Sequence, residues 1–149
     1  MALARQDFTV DQGSSFILQF DLLDDNNVPL KTVVEDSQSL GTFSLGDFSF
    51  SMQGRITKYR GATAAFGITG SPTLITLNDV DSTGNTVDGF YVFANRPGRV
   101  KMVMTHETTS ALKHGKYFYD IEVSETKTGG TEVTKALIGR MTIDAEATK

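Results

Sequence analysis

Few residues of this chain have the types and spacing that chemistry needs, and each such set is incomplete. Asp79-Val80-Asp81-Ser82-Thr83-Gly84 opens like a calcium loop, D-x-D-x-x-G, in which carboxylates at alternate positions converge on a hard cation. A full loop closes with a bidentate acid at its twelfth position, where Phe90 stands, so the stretch reads as a polar turn. His106, Glu107 and His114 are the one local group of metal-ligating types, but their spacing fits no zinc pattern and they read as exposed corner residues. Arg55, Lys58 and Arg60 with Tyr59 form a basic and aromatic loop that has the chemistry to grip a phosphate, a glycan or an acidic neighbour. A solvated loop is the preferred reading. The sequence holds no nucleophile elbow, no phosphate-binding glycine loop and no catalytic set around either histidine. Its carboxylates are scattered and single out no glycosidase pair. The expectation is a protein that is not an enzyme and needs no cofactor and no metal.

The elements that position these residues are strands. A chain of 149 residues, 39% hydrophobic and 21% charged, suits one domain with a real core. No apolar run is long enough to cross a bilayer, and no hydrophobic signal segment follows Met1-Ala2-Leu3-Ala4-Arg5. Folding in the cytosol of the producing cell, away from membranes, is therefore expected. Cysteine is absent, which excludes disulfides and thiolate metal sites. A net charge of −4 argues against nucleic acid as a partner.

Alternation predicts strands over 7–11, 16–22, 47–56, 64–69, 73–77, 90–94 and 99–105. In the second of these, Phe16, Leu18, Phe20 and Leu22 share a face. In the third, Phe48, Phe50, Met52 and Ile56 face inward, with Gly54 interrupting the stripe at a bulge. Residues 30–45 are mixed and polar, and are left as loop with one edge strand at most. Residues 106–112 suit a single helical turn. A hairpin loop at 126–131 precedes a last strand over 132–145, in which Val133, Leu137, Met141 and Ile143 share a face with Gly139. About eight antiparallel strands at this spacing predict an all-β sandwich.

The most informative stretch is 112–123. Leu112-x-x-Gly115-x-Tyr117 leads straight into a strand, the way a tyrosine corner reads in sequence. Leu112, Gly115 and Tyr117 are thus the expected structural corner. Tyr117 should be buried, with its hydroxyl bonded to backbone a few residues upstream, and Gly115 should supply unusual backbone angles. Tyr117, Tyr119, Ile121 and Val123 share one face, and Phe118, Asp120 and Glu122 the other. The same alternation puts Ala136 and Ile138 of the last strand beside Phe118. These three residues form a candidate interface rimmed by Asp120, Glu122, Thr134 and Arg140.

Three segments together resemble a known family: Asp7-Phe8-Thr9-Val10-Asp11-Gln12-Gly13, the stretch 112–123, and Val133-Thr134-Lys135-Ala136-Leu137-Ile138-Gly139-Arg140-Met141-Thr142-Ile143. In this order they are similar to small immunoglobulin-like virion proteins of tailed bacteriophages. The nearest in pattern are the N-terminal domains of upper baseplate proteins and short structural proteins of marine phages. The family pattern is an F-T-x-D-x-G start, then L-x-x-G-x-Y-x-Y-D-x-E, then a final hairpin ending in G-x-x-x-I. The likeness covers both ends and the strand at 47–56. It lapses between about 70 and 98, where the chain is longer and an insertion is expected in the single domain of 1–149. The resemblance implies an immunoglobulin-like fold and a tail, baseplate or fibre-attachment adaptor of the phage particle. Such a protein is made in the host cytoplasm, self-associates as a homo-oligomer and docks on other virion proteins. A head-decoration or neck protein of the same fold is one alternative. A glycan-binding sandwich is another, although the absence of Trp weakens an aromatic platform.

Overall fold

A computed structural model of the chain describes residues 4–22, 48–56, 64–75, 86–93, 96–127 and 129–145. Among the described residues ten strands make two sheets. The larger has the order β1 (Ala4–Arg5), β10 (Gly130–Asp144), β9 (Gly115–Lys127), β4 (Phe48–Arg55), β5 (Phe66–Gly70), with β2 (Phe8–Asp11) also paired to β10. The smaller has the order β3 (Phe16–Asp21), β8 (Arg96–Met104), β7 (Gly89–Phe93), β6 (Thr73–Ile75). A short helix, α1 (His106–Ser110), leads from β8 towards β9. Three of the segments quoted above, 30–45, 58–60 and 79–84, lie outside the described residues.

The inward stripes of both sheets merge into one core, the defining property of a sandwich. Leu18 and Phe20 of β3, Phe50 and Met52 of β4, and Tyr117, Tyr119, Ile121 and Val123 of β9 are all buried there, as alternation predicts. Phe50 stacks on Phe90 of β7 across the two layers, with ring centroids 5.1 Å apart. Phe8 of β2 stacks on Phe16 of β3 at 4.8 Å. Burying an aromatic ring stabilises by about 1.5–3 kcal/mol through area alone, so these cross-layer pairs do much to hold the sheets together.

Several expectations are corrected. The sandwich is not wholly antiparallel: β1 and β2 run parallel to β10, and β6 runs parallel to β7. The chain leaves β2 through Gln12–Ser14 and crosses to the other sheet, so no hairpin imposes an antiparallel neighbour on that edge. Gly54 marks no bulge, since β4 keeps register with both β5 and β9 there. Instead the ring of Phe66 occupies the space a side chain at Gly54 would take, 2.3 Å from its Cβ position. Ile56 is exposed because β4 ends at Arg55. The bulge lies elsewhere, between Lys135 and Leu137 of β10. One extra residue reverses the parity of a strand. Val133, expected inside, is therefore 56% exposed, and Ala136, expected outside, is in the core.

The stretch from 70 to 98 contributes β6, β7 and the start of β8, half of the smaller sheet, with Phe90 and Val92 among the most buried side chains.

Candidate interaction site

The residues around α1 are fixed first by backbone demands. Gly115 opens β9 with φ of +144°, a conformation that side chains rarely adopt. Two residues on, the Tyr117 ring enters the core edge-on to Phe66, at 5.1 Å, and its hydroxyl donates to the Lys113 carbonyl at 2.8 Å. Leu112 is buried in the same core, and its carbonyl accepts from Gln12 Nε2 at 2.7 Å. Thr109 of α1 is wholly buried; its hydroxyl donates to the Ser14 carbonyl at 2.8 Å and accepts from the Gly13 amide at 3.1 Å. Leu112, Gly115 and Tyr117 are thus brought together with the turn that follows β2.

A second arrangement of the same kind escaped the sequence reading. Gly89 opens β7 with φ of +152°, and the Tyr91 hydroxyl donates to the Val87 carbonyl at 2.9 Å. The signal was present as a repeated Gly-x-Tyr, but it sat at the end of a turn-rich stretch. Asp88 joins this corner to α1: its carboxylate accepts from the Thr105 amide at 2.7 Å, just before the helix, and from the Thr108 hydroxyl within it. Tyr91, Phe93 and Val103 form a separate buried cluster on the outward parity of the smaller sheet. The buried Lys101 amine lies 5.2 Å from the Tyr91 ring centroid and 5.8 Å from that of Phe93.

The outer face of the larger sheet carries the candidate site. Strand register sets two rows of side chains across it. Arg5, Ile138, Asp120 and Gln53 form one row, and Arg140, Phe118 and Arg55 the next. Phe118 and Ile138 are half-buried diagonal neighbours, as the sequence suggested. Ala136 does not join them, for the reason given by the bulge. Phe118 and Ile138 line a shallow depression of about 290 Å³ together with Arg5, Arg55, Asp120 and Lys135. The Asp120 carboxylate is its electrostatic centre, 3.3 Å from Arg55 Nη1 and 3.5 Å from Lys135 Nζ. The Arg140 guanidinium lies over the Phe118 ring at 5.4 Å. Sequence reasoning missed Arg5 and Lys135 because the chain brings them here from 130 residues apart.

The floor of the depression is rigid. The Gln6 carbonyl passes so close to Gly139 that a Cβ there would lie 2.0 Å from its oxygen. The buried Tyr119 hydroxyl donates to that same carbonyl. Burial raises the Tyr119 phenol well above its ordinary range, the Asp7 carboxylate adds to the rise, and Arg5 opposes it. The Arg140 amide donates to Asp7 Oδ1 at 2.8 Å, which pins the segment between β1 and β2 against β10.

His106 Nε2 and Glu107 Oε1 lie 3.0 Å apart at the start of α1, and both side chains are largely exposed. The arrangement on the sheet suits contact: an aromatic and an aliphatic group within a charged rim, on a backbone that cannot easily move. No protein-family model matches the chain, and no curated protein matches it in sequence.

Proposed function

We propose that this chain is a non-enzymatic structural protein of a tailed-phage particle, an immunoglobulin-like adaptor of the tail, baseplate or fibre attachment that works by self-association and docking. The observation that carries the reading is the outer face of the larger sheet, where Phe118 and Ile138 sit in a depression with a charged rim. That composition has the anatomy of an interface: a small apolar centre with charged groups around it. The hydroxyl of the buried Tyr117, bonded four residues upstream, supports a tyrosine corner and with it the immunoglobulin-like assignment. The phage context rests on the three-segment resemblance.

The test is the double substitution Phe118→Asp and Ile138→Asp. The expected product is a folded, soluble monomer that no longer assembles into oligomers or particles. Normal assembly of the variant would make the patch incidental and sink the reading; failure to fold would make the face part of the core. Mass spectrometry of separated tails and heads tests the virion assignment itself, with the chain expected in the tail fraction.

A further inference from the structure

A sheet adds a strand wherever an edge leaves its N–H and C=O groups unpaired, unless something blunts that edge. Among the described residues the two sheets end on four sides. The side of β1 and β2 is short and carries Arg5, Asp7 and Asp11. β6 has three residues and follows Pro72. β3 closes with Asp21, whose Oδ1 lies 3.1 Å from Arg99 Nε. β5 differs. Phe66–Gly70 holds no charged residue and no proline, and its ladder with β4 keeps register without a bulge. Gly67 and Gly70 are both exposed, and what a glycine exposes is backbone.

The ladder on the other side of β5 shows what fits it. β4 reads Phe50-Ser51-Met52-Gln53-Gly54 and β5 reads Phe66-Gly67-Ile68-Thr69-Gly70. Both are Phe-x-apolar-x-Gly. Run antiparallel, this pattern is its own complement: Phe50 lies opposite Gly70, Met52 opposite Ile68, and Gly54 opposite Phe66. An aromatic ring opposite a glycine covers the bare backbone, as Phe66 does at Gly54. A second β5 meets the first by the same rule, with Phe66 opposite Gly70 twice and Ile68 opposite its own copy. A Cβ at Gly70 would meet nothing within 4 Å, so the place opposite an incoming Phe66 is clear. On the outer face Gly67 would lie opposite Thr69, beside the uncharged Gln53 and Ser51. Two copies of a chain of net charge −4 can therefore meet at this edge without setting like charges side by side.

We infer that β5 pairs antiparallel with β5 of a second copy about a two-fold axis at Ile68, joining the two larger sheets into one. Five rungs are a small contact, so the pair forms at the high local concentration of an assembly rather than in dilute solution. It deepens the reading of the chain as a self-associating adaptor, and for that setting rests on it. Both Phe118 faces lie on the same side of the joined sheet.

The sequence has no cysteine, so single engineered thiols on the full-length chain report the pair. Ile68→Cys sets each thiol opposite its own copy, with Cβ atoms about 4.5–5.5 Å apart, near enough for a disulfide. Thr69→Cys, at an exposed position, covers the case in which the buried Ile68 is needed for folding. Its two thiols stand diagonally at about 7–8 Å, within reach of a short bis-maleimide. Thr126→Cys, exposed at the far end of β9, gives the level of chance collision. Circular dichroism checks that each variant folds. At about 1 mM protein, cross-linked dimer at least ~10-fold above the Thr126→Cys level is expected. A Thr69→Cys yield no higher than that of Thr126→Cys, or equal cross-linking through Ile17→Cys on the β3 edge, overturns the inference. The edge and the docking face fail separately. If cross-links form while Phe118→Asp with Ile138→Asp leaves assembly intact, the docking face is wrong and the edge pair stands. If that double variant abolishes assembly and the thiols never link on the unmodified face, only the edge pair falls.

Discussion

Two corners of this molecule are built alike and serve different surfaces. At Gly89-Phe90-Tyr91 and again at Gly115-Lys116-Tyr117, a glycine of positive φ opens a strand and a tyrosine two residues on bonds the carbonyl four residues behind it. The rings are almost equally buried, 6% exposed for Tyr91 and 7% for Tyr117. Their surroundings differ. Tyr117 belongs to the main core between the sheets, whereas Tyr91 belongs to a three-residue cluster beside Lys101. The shared device fixes how the chain enters a strand. Which way the ring faces is set by the parity of the strand that follows. A Gly-x-Tyr spacing therefore reports a backbone event, and only the neighbouring pattern tells what the ring will hold together.

Truncating the rings probes this difference most strongly. Tyr117→Ala should cost in the upper part of the about 3–5 kcal/mol range for removing a core aromatic, and Tyr91→Ala in the lower part, by denaturant unfolding. Equal losses would mean that the smaller cluster matters as much as the main core. The glycines should behave as equals. A Cβ at Gly115 meets nothing within 4 Å and one at Gly89 makes only ordinary contact, so Ala at either site should cost about 1–2 kcal/mol of backbone strain alone. A gap between them wider than the strain itself would show that the two corners are not the same device.

The smallest effect is alkaline. Burial raises the Tyr91 phenol above its ordinary value, and the Asp88 carboxylate beside it adds to the rise. A phenol whose folded-state value is raised favours folding while it stays neutral. That contribution is complete below the unfolded value of about 10 and is lost as pH climbs through the folded value. Stability should therefore decline above about pH 10, and Tyr91→Phe should flatten the decline, at the separate cost of about 1 kcal/mol for the lost hydrogen bond. An unchanged alkaline slope in Tyr91→Phe would assign the decline to other groups, Tyr119 first among them.

Much of the sandwich was legible because alternation over five or more residues has few physical causes. Phe16 through Leu22 and Tyr117 through Val123 could only be strands with one buried side, and so they are. What the pattern could not reveal was a change of phase. Val133, Leu137 and Met141 look in step, yet one bulged residue between Lys135 and Leu137 turns Val133 out and Ala136 in. The bulge is a property of ladder hydrogen bonds, which leave no mark on residue type. Nor could β1 be seen, because two exposed residues carry no period. Half of the candidate site was visible, as Phe118 and Ile138. Of its charges Asp120 and Arg140 were visible too, whereas Arg5, Arg55 and Lys135 were not, since they become neighbours of Phe118 only through strand order.

The parallel edge has a consequence for the order of events in folding. Residues 4–11 find their ladder partners at 137–144, so the pairing spans 133 positions at every rung. Closing so long a loop yields nothing until the last strand exists and has already paired with β9. During synthesis residues 4–11 must wait for residues 137–144, although the Tyr119 hydroxyl and the bare backbone of Gly139 are both shaped to receive them. Residues 4–11 are thus the closing clasp of the sheet, and the face that Arg5 completes forms only after β10 has paired.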